Sequence, residues 1–131
     1  MMITDPVGDF LTRLRNAIQR NHEEVVMPST RMIASIAEIL KREGFVEDFS
    51  VVEQKPQNEL VVKLKYVNGQ SAITELERVS KPGIRRYRGY REIKPIKSGL
   101  GISIYSTPQG LKTGEEARKE RLGGEYICNI S

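Results

Sequence analysis

An α+β protein in two parts is what this sequence predicts, and three observations predict it. Apolar residues recur at helical spacing over residues 7–18 and 33–40. They alternate at strand spacing from Phe45 to Tyr66, and beyond Gly69 the chain changes to short apolar runs punctuated by glycine. Amphipathic helices and a half-apolar sheet must hide their faces in each other, so residues 1–68 are expected to form an N-terminal domain of two helices packed on a small sheet. Residues 69–79 are expected to be a connecting strand or linker, and residues 80–131 a mostly β domain with a short helix. A chain of 131 residues hides roughly two thirds of its unfolded surface on folding, enough for one moderate core or two small ones.

Each element has a local cause. Asp5 and Pro6 suit a helix start as cap and first helical residue, and Val7, Phe10, Leu11, Leu14 and Ile18 then form one apolar stripe to about Asn21. Arg13, Asn16 and Arg20 fall on a polar stripe of the same helix. A short extended piece is expected over Glu24–Met27, then a second helix capped by Ser29, with Ile33, Ile36, Ala37 and Leu40 on its buried face and Gly44 at its end. From Phe45 the period is two: Phe45, Phe49 and Val51, then, beyond the Lys55–Asn58 turn, Leu60, Val62, Leu64 and Tyr66 alternating with Val61, Lys63 and Lys65. That is the pattern of a hairpin.

In the second half, Ile73–Val79 reads as a strand leading into Lys81, Pro82 and Gly83, an order that fits a type II turn. A strand bearing Arg85 and Tyr87 follows. Gly101–Ser106 supplies another, with Ile102 and Ile104 on one face, and Tyr126, Cys128 and Ile130 alternate in a terminal strand. Between these, Thr113 and Glu116 have the spacing of a capping box, which starts a short helix ending near Arg118 and Lys119.

Composition excludes several classes of function. A hydrophobic fraction of 38% and a charged fraction of 29% are those of a soluble folded protein rather than a disordered one. No apolar run approaches membrane-spanning length and the first residues lack a signal-peptide pattern, so a cytoplasmic protein without membrane partners is expected. One cysteine, Cys128, cannot form an internal disulfide, and with His22 as the sole histidine an ordinary zinc site cannot be assembled. No cofactor and no small-molecule substrate are expected. His22 reads as a surface residue near a helix end, and Cys128 as a small apolar residue in the last strand.

The net charge of +4 is unevenly spread. Residues 1–68 carry nine Lys/Arg and ten Asp/Glu, whereas residues 69–131 carry twelve and seven. Arg78, Lys81, Arg85, Arg86, Arg88, Arg91, Lys94 and Lys97 lie within one stretch whose single acid is Glu92. A charge run is most often a solvated face, but one nearly free of acids is the footprint of a polyanion partner.

Four segments go further: TDP at Thr4–Pro6 with TRLRNA at Thr12–Ala17; SKPG at Ser80–Gly83 with Arg85 and Tyr87; STPQG at Ser106–Gly110; and GGE at Gly123–Glu125. In this order they resemble the motifs of the ribosomal protein S8 family, and the resemblance runs from Thr4 to near the end of the chain. It implies a two-domain structural protein of the small (30S) ribosomal subunit that binds the central domain of 16S rRNA, helps assemble the platform and touches small-subunit ribosomal proteins five and twelve. It implies no catalysis, and it extends to translational repression through binding of its own messenger. The family's principal RNA contacts come from the C-terminal domain, through the hydroxyl-rich loop that is here Ser106, Thr107 and Gly110.

The residue types suit that partner. Paired RNA shows 2′-hydroxyls on a shallow groove, which short donors and acceptors on a shaped surface can read. Ser106 and Thr107 supply these, and Gly110 lets the backbone come close. Lys81, Arg85, Arg86 and Arg88 suit phosphates, giving affinity rather than sequence information, and Tyr87 suits stacking on a base. Gly124 and Glu125 lie by the RNA in the family pattern, where Glu125 would fix an arginine or accept from a base. Asp5, Arg13 and Asn16 make the first helix a second contact. Each has a plainer reading: turn chemistry for Ser106 and Thr107, a wet helix face for Arg13 and Asn16, a turn end for Glu125. Pro108 departs from the family, which often has a third hydroxyl there, and removes a backbone donor as well. The rivals are a nucleic-acid-processing enzyme, which wants clustered carboxylates, and a DNA-binding module, which wants a recognition helix. The sequence presents neither.

Overall fold

The computed structural model describes residues 5–96 and 99–131, and the chain divides into two units, residues 6–73 and residue 5 with 74–131. Thr4 of the first motif and Lys97 of the basic stretch lie outside the described residues.

In the first unit, helix α1 spans Pro6–Gln19 and buries Val7, Phe10, Leu11, Leu14 and Ala17. It ends where Asn21 turns to φ 55° and the His22 N–H reaches back to the Ala17 carbonyl at 2.9 Å. Strand β1, Glu24–Pro28, leads into α2, Arg31–Arg42, which buries Ile33, Ile36, Ala37, Ile39 and Leu40. The cap of α2 is Thr30, not the expected Ser29: the Thr30 hydroxyl accepts from the Ile33 N–H at 3.2 Å. Ser29 is held elsewhere, its N–H donating 2.8 Å to the Asn58 carbonyl. Strands β2 (Val46–Val52) and β3 (Glu59–Leu64) form the expected hairpin, and β1 adds to the far edge of β3, giving a three-stranded antiparallel sheet of order β1-β3-β2. Met27, Leu60, Val62, Leu64 and Val46 carry the sheet's share of the core. Full burial of one such aliphatic side chain is worth about 1.5–3 kcal/mol. A small hairpin, β4 (Tyr66–Val67) with β5 (Gln70–Ser71), ends the unit.

The second unit is built around its last strand. Strand β10, Gly124–Ile130, takes β8 (Ile102–Thr107) along one edge, and β9 (Gly110–Thr113) extends the sheet beyond β8. The other edge of β10 is shared end to end by β6 (Leu76–Arg78) and β7 (Tyr87–Arg88). Strand β6 is shorter than the Ile73–Val79 expected. The Thr74 and Glu75 N–H groups donate to the Ser131 carbonyl, and those of Val79 and Ser80 share the Ile127 carbonyl, so only the three middle residues keep a regular ladder. A 3-10 turn, Tyr90–Glu92, precedes β8. Helix α3, Gly114–Lys119, starts on the expected capping box: the Thr113 hydroxyl accepts from the Glu116 N–H, and the Glu116 carboxylate from the Thr113 N–H.

One expectation about β10 is corrected. Tyr126 and Cys128 do not share a face, because the register shifts between them: Tyr126 lies opposite Tyr105 and Cys128 opposite Ile104. Successive residues of β8 point to opposite sides, so the bulge sends Tyr126 to one face of the sheet and Cys128 to the other. On the first face Tyr126 stacks on Tyr105, ring centroids 4.7 Å apart, within a core of Ile93, Ala117, Val79 and Leu122.

Burial pushes the Cys128 thiol and the Tyr105 hydroxyl up to about 12, the Tyr126 hydroxyl adding to the latter shift. Both groups keep their protons more tightly folded than unfolded. Their contribution to stability is therefore complete below the unfolded values of 9.0 and 10.0 and is lost as pH rises from there toward 12. The urea midpoint should hold steady near neutral pH and fall above about pH 9; a flat profile to pH 11.5 would contradict the burial of both groups. In the first unit, Ile36→Ala should cost about 2–5 kcal/mol of unfolding free energy, read from urea denaturation, because Ile36 is wholly buried between helix and sheet.

Candidate nucleic-acid interface

The candidate surface forms where the chain leaves β6, turns at residues 81–84 and returns as β7. The turn is closed by reciprocal backbone hydrogen bonds of 3.0 Å between Lys81 and Ile84, with Gly83 at φ 87° as a type II turn needs. The turn presents Lys81, Ile84, Arg85, Arg86, Tyr87 and Arg88 to solvent, Tyr87 with 69% of its surface exposed. An exposed tyrosine among arginines is an available stacking surface with charge beside it.

A buried polar network holds this turn in place. Ser80, wholly buried, donates its hydroxyl to the Glu125 carboxylate at 2.5 Å and accepts the Arg86 N–H at 3.2 Å. The same Glu125 oxygen receives the Arg85 guanidinium at 3.1 Å, so Glu125 fixes an arginine. Behind Ser80, the Arg78 guanidinium donates to the Ser80 carbonyl and to both Asp5 oxygens at 2.7 and 2.9 Å. The Arg78 side chain is 14% exposed and that of Asp5 35%, so water screens this pair only in part.

Strand pairing brings the STPQG turn to the same region. Ser106 lies opposite Glu125, and Glu125 opposite Tyr87, so one row across the sheet carries all three. Beside it Gly124 lies against β8 so closely that a Cβ would collide with the Ser106 carbonyl, which makes glycine a packing requirement here. Thr107 is nearly buried: its hydroxyl donates 2.7 Å to the Gly110 carbonyl and accepts from the Gln109 N–H at 3.1 Å. Thr107 therefore shapes the turn, while the Ser106 hydroxyl makes no hydrogen bond among the described residues. Gly110 has nothing within reach of a Cβ, and glycine is needed there for φ 103°. Pro108 and Gln109 form the exposed tip.

The structure thus gathers Ser106, Thr107, Gly110, Gly124, Glu125, Lys81, Arg85, Arg86, Tyr87 and Arg88 into one region of the second unit. Asp5 belongs to this unit too, but as the partner of Arg78. Arg13 and Asn16 lie in the first unit. Arg13 is engaged locally, with Asp9 at 2.9 Å and the Val26 carbonyl of edge strand β1 at 3.1 Å, while Asn16 is exposed. Sequence reading missed Ser80 as a support and Arg88 as a cap on the Tyr126 ring, 5.0 Å from its centroid. The SKPG motif contained the first signal. The second depends on a strand bulge that the sequence does not announce. Among the described residues no group of His, Cys, Asp and Glu could hold a metal ion, and no helix is long and apolar enough to cross a membrane.

Replacing Ser80 by alanine strips one hydrogen bond from Glu125 and one from the Arg86 N–H. A loss of about 1–3 kcal/mol is expected, with faster hydrogen exchange at the Arg86 amide. Unchanged exchange at that amide would show that Ser80 does not hold the turn.

Residues 5–131 match the family described as Ribosomal protein S8. The chain is 48% identical over 131 residues to the small ribosomal subunit protein uS8 of Roseiflexus castenholzii, covering 99% of both chains. It is 48% identical to that of Cupriavidus metallidurans, covering 100% of both, and 47% identical to that of Halothermothrix orenii, covering 99% of both. These relatives are ribosomal proteins and not enzymes. With the motif-bearing turns gathered in one unit, a family match over nearly the whole length, and near-half identity to proteins covered from end to end, this chain belongs to the ribosomal protein S8 family.

Proposed function

We propose that this protein is a structural constituent of the small ribosomal subunit and a primary binder of 16S rRNA, with its second unit as the principal RNA surface. The family supports the ribosomal role. The observation that carries the surface is the row Tyr87–Glu125–Ser106, flanked by Lys81, Arg85, Arg86 and Arg88. Cations there neutralise phosphates, Tyr87 offers a ring to an unstacked base, and the Ser106 hydroxyl reaches a 2′-hydroxyl or base edge. Asp5, Thr107 and Gly124 then act by holding that surface in shape. Arg13 and Asn16 on α1 form a second, smaller contact.

The proposal includes its finer parts: binding to the central domain, assembly of the platform, contact with ribosomal proteins five and twelve, and repression of its own messenger where that RNA imitates the rRNA shape. Residues 1–68 and 80–131 act in it as structural and RNA-binding domains joined by residues 69–79. A DNA-binding reading is disfavoured because the basic residues stand on a turn and a short strand, not on a helix that enters a major groove.

Equilibrium binding to a central-domain 16S rRNA fragment, measured against a regular RNA duplex of equal length at physiological salt with magnesium, tests the proposal. Preference for the fragment is expected, and equal salt-sensitive binding to both would overturn it. Ser106→Ala should weaken fragment binding about three- to tenfold at all salt concentrations, the worth of one hydrogen bond. Arg85→Ala should instead lower the slope of log K against log salt by about one.

A further inference from the structure

The two outer edges of the first unit's sheet are finished differently. Along β1, the Val26 carbonyl accepts from the Arg13 guanidinium at 3.1 Å, and Pro28 at the strand's end has no N–H to offer. Both are ordinary ways of closing an edge. Along β2 the edge is open. The Leu64 N–H donates to the Glu23 carbonyl and the Ser29 N–H to the Asn58 carbonyl, so the even-numbered residues of β3 face β1 and the odd-numbered ones face β2. Opposite Lys63, Val61 and Glu59 stand Asp48, Ser50 and Val52, which take the ladder bonds. Phe49 and Val51 therefore turn their backbone groups away from the sheet. The Phe49 N–H is covered by the Asp48 carboxylate beside it, at 2.8 Å. The Phe49 carbonyl and both backbone groups of Val51 have no partner among the described residues.

An open edge carries the hydrogen-bonding pattern of one more strand, and the side chains around it select which strand. Val51 and Val52, 42% and 47% exposed, offer β-branched apolar surface on the two faces of the sheet. The charge is of one sign. Residues 46–54 carry Glu47, Asp48 and Glu53 and no cation, and Glu59 lies opposite Val52. Lys41 is committed to Asp48 at 2.9 Å, and Lys63 lies opposite the same residue. Glu47 and Glu53, six residues apart, make no ion pair among the described residues. A polyanion is repelled from such an edge. A second copy is disfavoured as well, because pairing the two edges with Phe49 against Val51 sets each Glu47 against a Glu53.

We propose that the β2 edge docks an extended basic segment of another protein, added antiparallel as a fourth strand of this sheet. Its backbone bonds to Val51 and Phe49, its β-branched side chains lie beside Val51 and Val52, and its cations meet Glu47 and Glu53. The inference concerns the first unit and stands whether or not the second unit binds RNA.

The test is amide NMR and hydrogen exchange of the whole protein. In the free protein the Val51 amide should exchange faster than those of Ser50 and Val52, which face β3. The probe is the peptide Arg-Thr-Val-Thr-Val-Thr-Arg, blocked at both termini. It should shift the amides of residues 47–53 and slow exchange at Val51. Glutamate in place of both arginines should weaken binding at least about tenfold, and Glu53→Lys in the protein about two- to fivefold. N-methylation of the peptide's valines, whose amides meet the edge, should abolish binding, and N-methylation of its threonines should spare it. Val51→Pro removes the open N–H and no ladder bond, so it should also abolish binding; Glu53→Lys keeps the test intact if that variant fails to fold. Binding indifferent to the valine N-methyl groups or to the end charges would overturn the proposal, as would no shift of these amides at any soluble peptide concentration. Protection of Val51 that grows with concentration of the protein alone would overturn it in favour of a second copy. Failure of the 16S fragment to bind would overturn the RNA reading and leave a peptide result standing.

Discussion

A carboxylate taken largely out of water has to be partnered, and the arrangement of the second unit follows from how Glu125 meets that requirement. Its side chain is 18% exposed, and its partners come from the segment that joins β6 to β7. The buried Ser80 hydroxyl fixes where that segment starts, the Arg85 guanidinium where it bends outward, and the Arg86 N–H closes on Ser80. The basic turn is consequently a fixed feature of the sheet edge. Its backbone, with the Arg85 guanidinium on Glu125 and that of Arg88 over Tyr126, stands in place before any partner arrives, which lowers the ordering cost of binding a polyanion.

The two faces of β10 then take separate duties. One carries Glu125 and its network, and the other carries Tyr126, stacked on Tyr105 and capped by Arg88. The aromatic stack closes a small core under α3, and the same Tyr126 hydroxyl starts the relay through Asn129 to Glu77. Packing and surface chemistry are thus joined through single residues, so a substitution at Tyr126 disturbs the core and the orientation of Glu77 together.

Much of this was legible in the sequence, for physical reasons that differ by element. The 3.6-residue stripes of α1 and α2, the period-two hairpin of β2 and β3, and the Thr113–Glu116 capping box are local signals, and local signals survive folding. Thr30 displaced Ser29 as the α2 cap because the Ser29 N–H continues the pairing of β1 with β3 to the Asn58 carbonyl, a contact between distant residues. The arginines of the candidate surface could be read from charge alone. Their organisation could not, since Asp5 and Arg78 are 73 residues apart and Ser80 and Glu125 are 45 apart. Thr107 looked like a contact residue in its motif, and its hydroxyl turned inward to form the loop.

The bulge in β10 sets a phase between two stretches of one strand. Upstream of it the side-chain alternation is in step with Tyr105, downstream with Ile104. Because the strand is the hub of the sheet, gaining or losing one residue between Glu125 and Ile130 would exchange the inside and outside of everything on one side of the change. The Lys55–Gln57 turn between β2 and β3, exposed and outside any ladder, imposes no such phase. Chain length is therefore set more tightly near the carboxyl end than at that turn, where an added residue would disturb only the local hydrogen bonds of Gln54, Gln57 and Asn58.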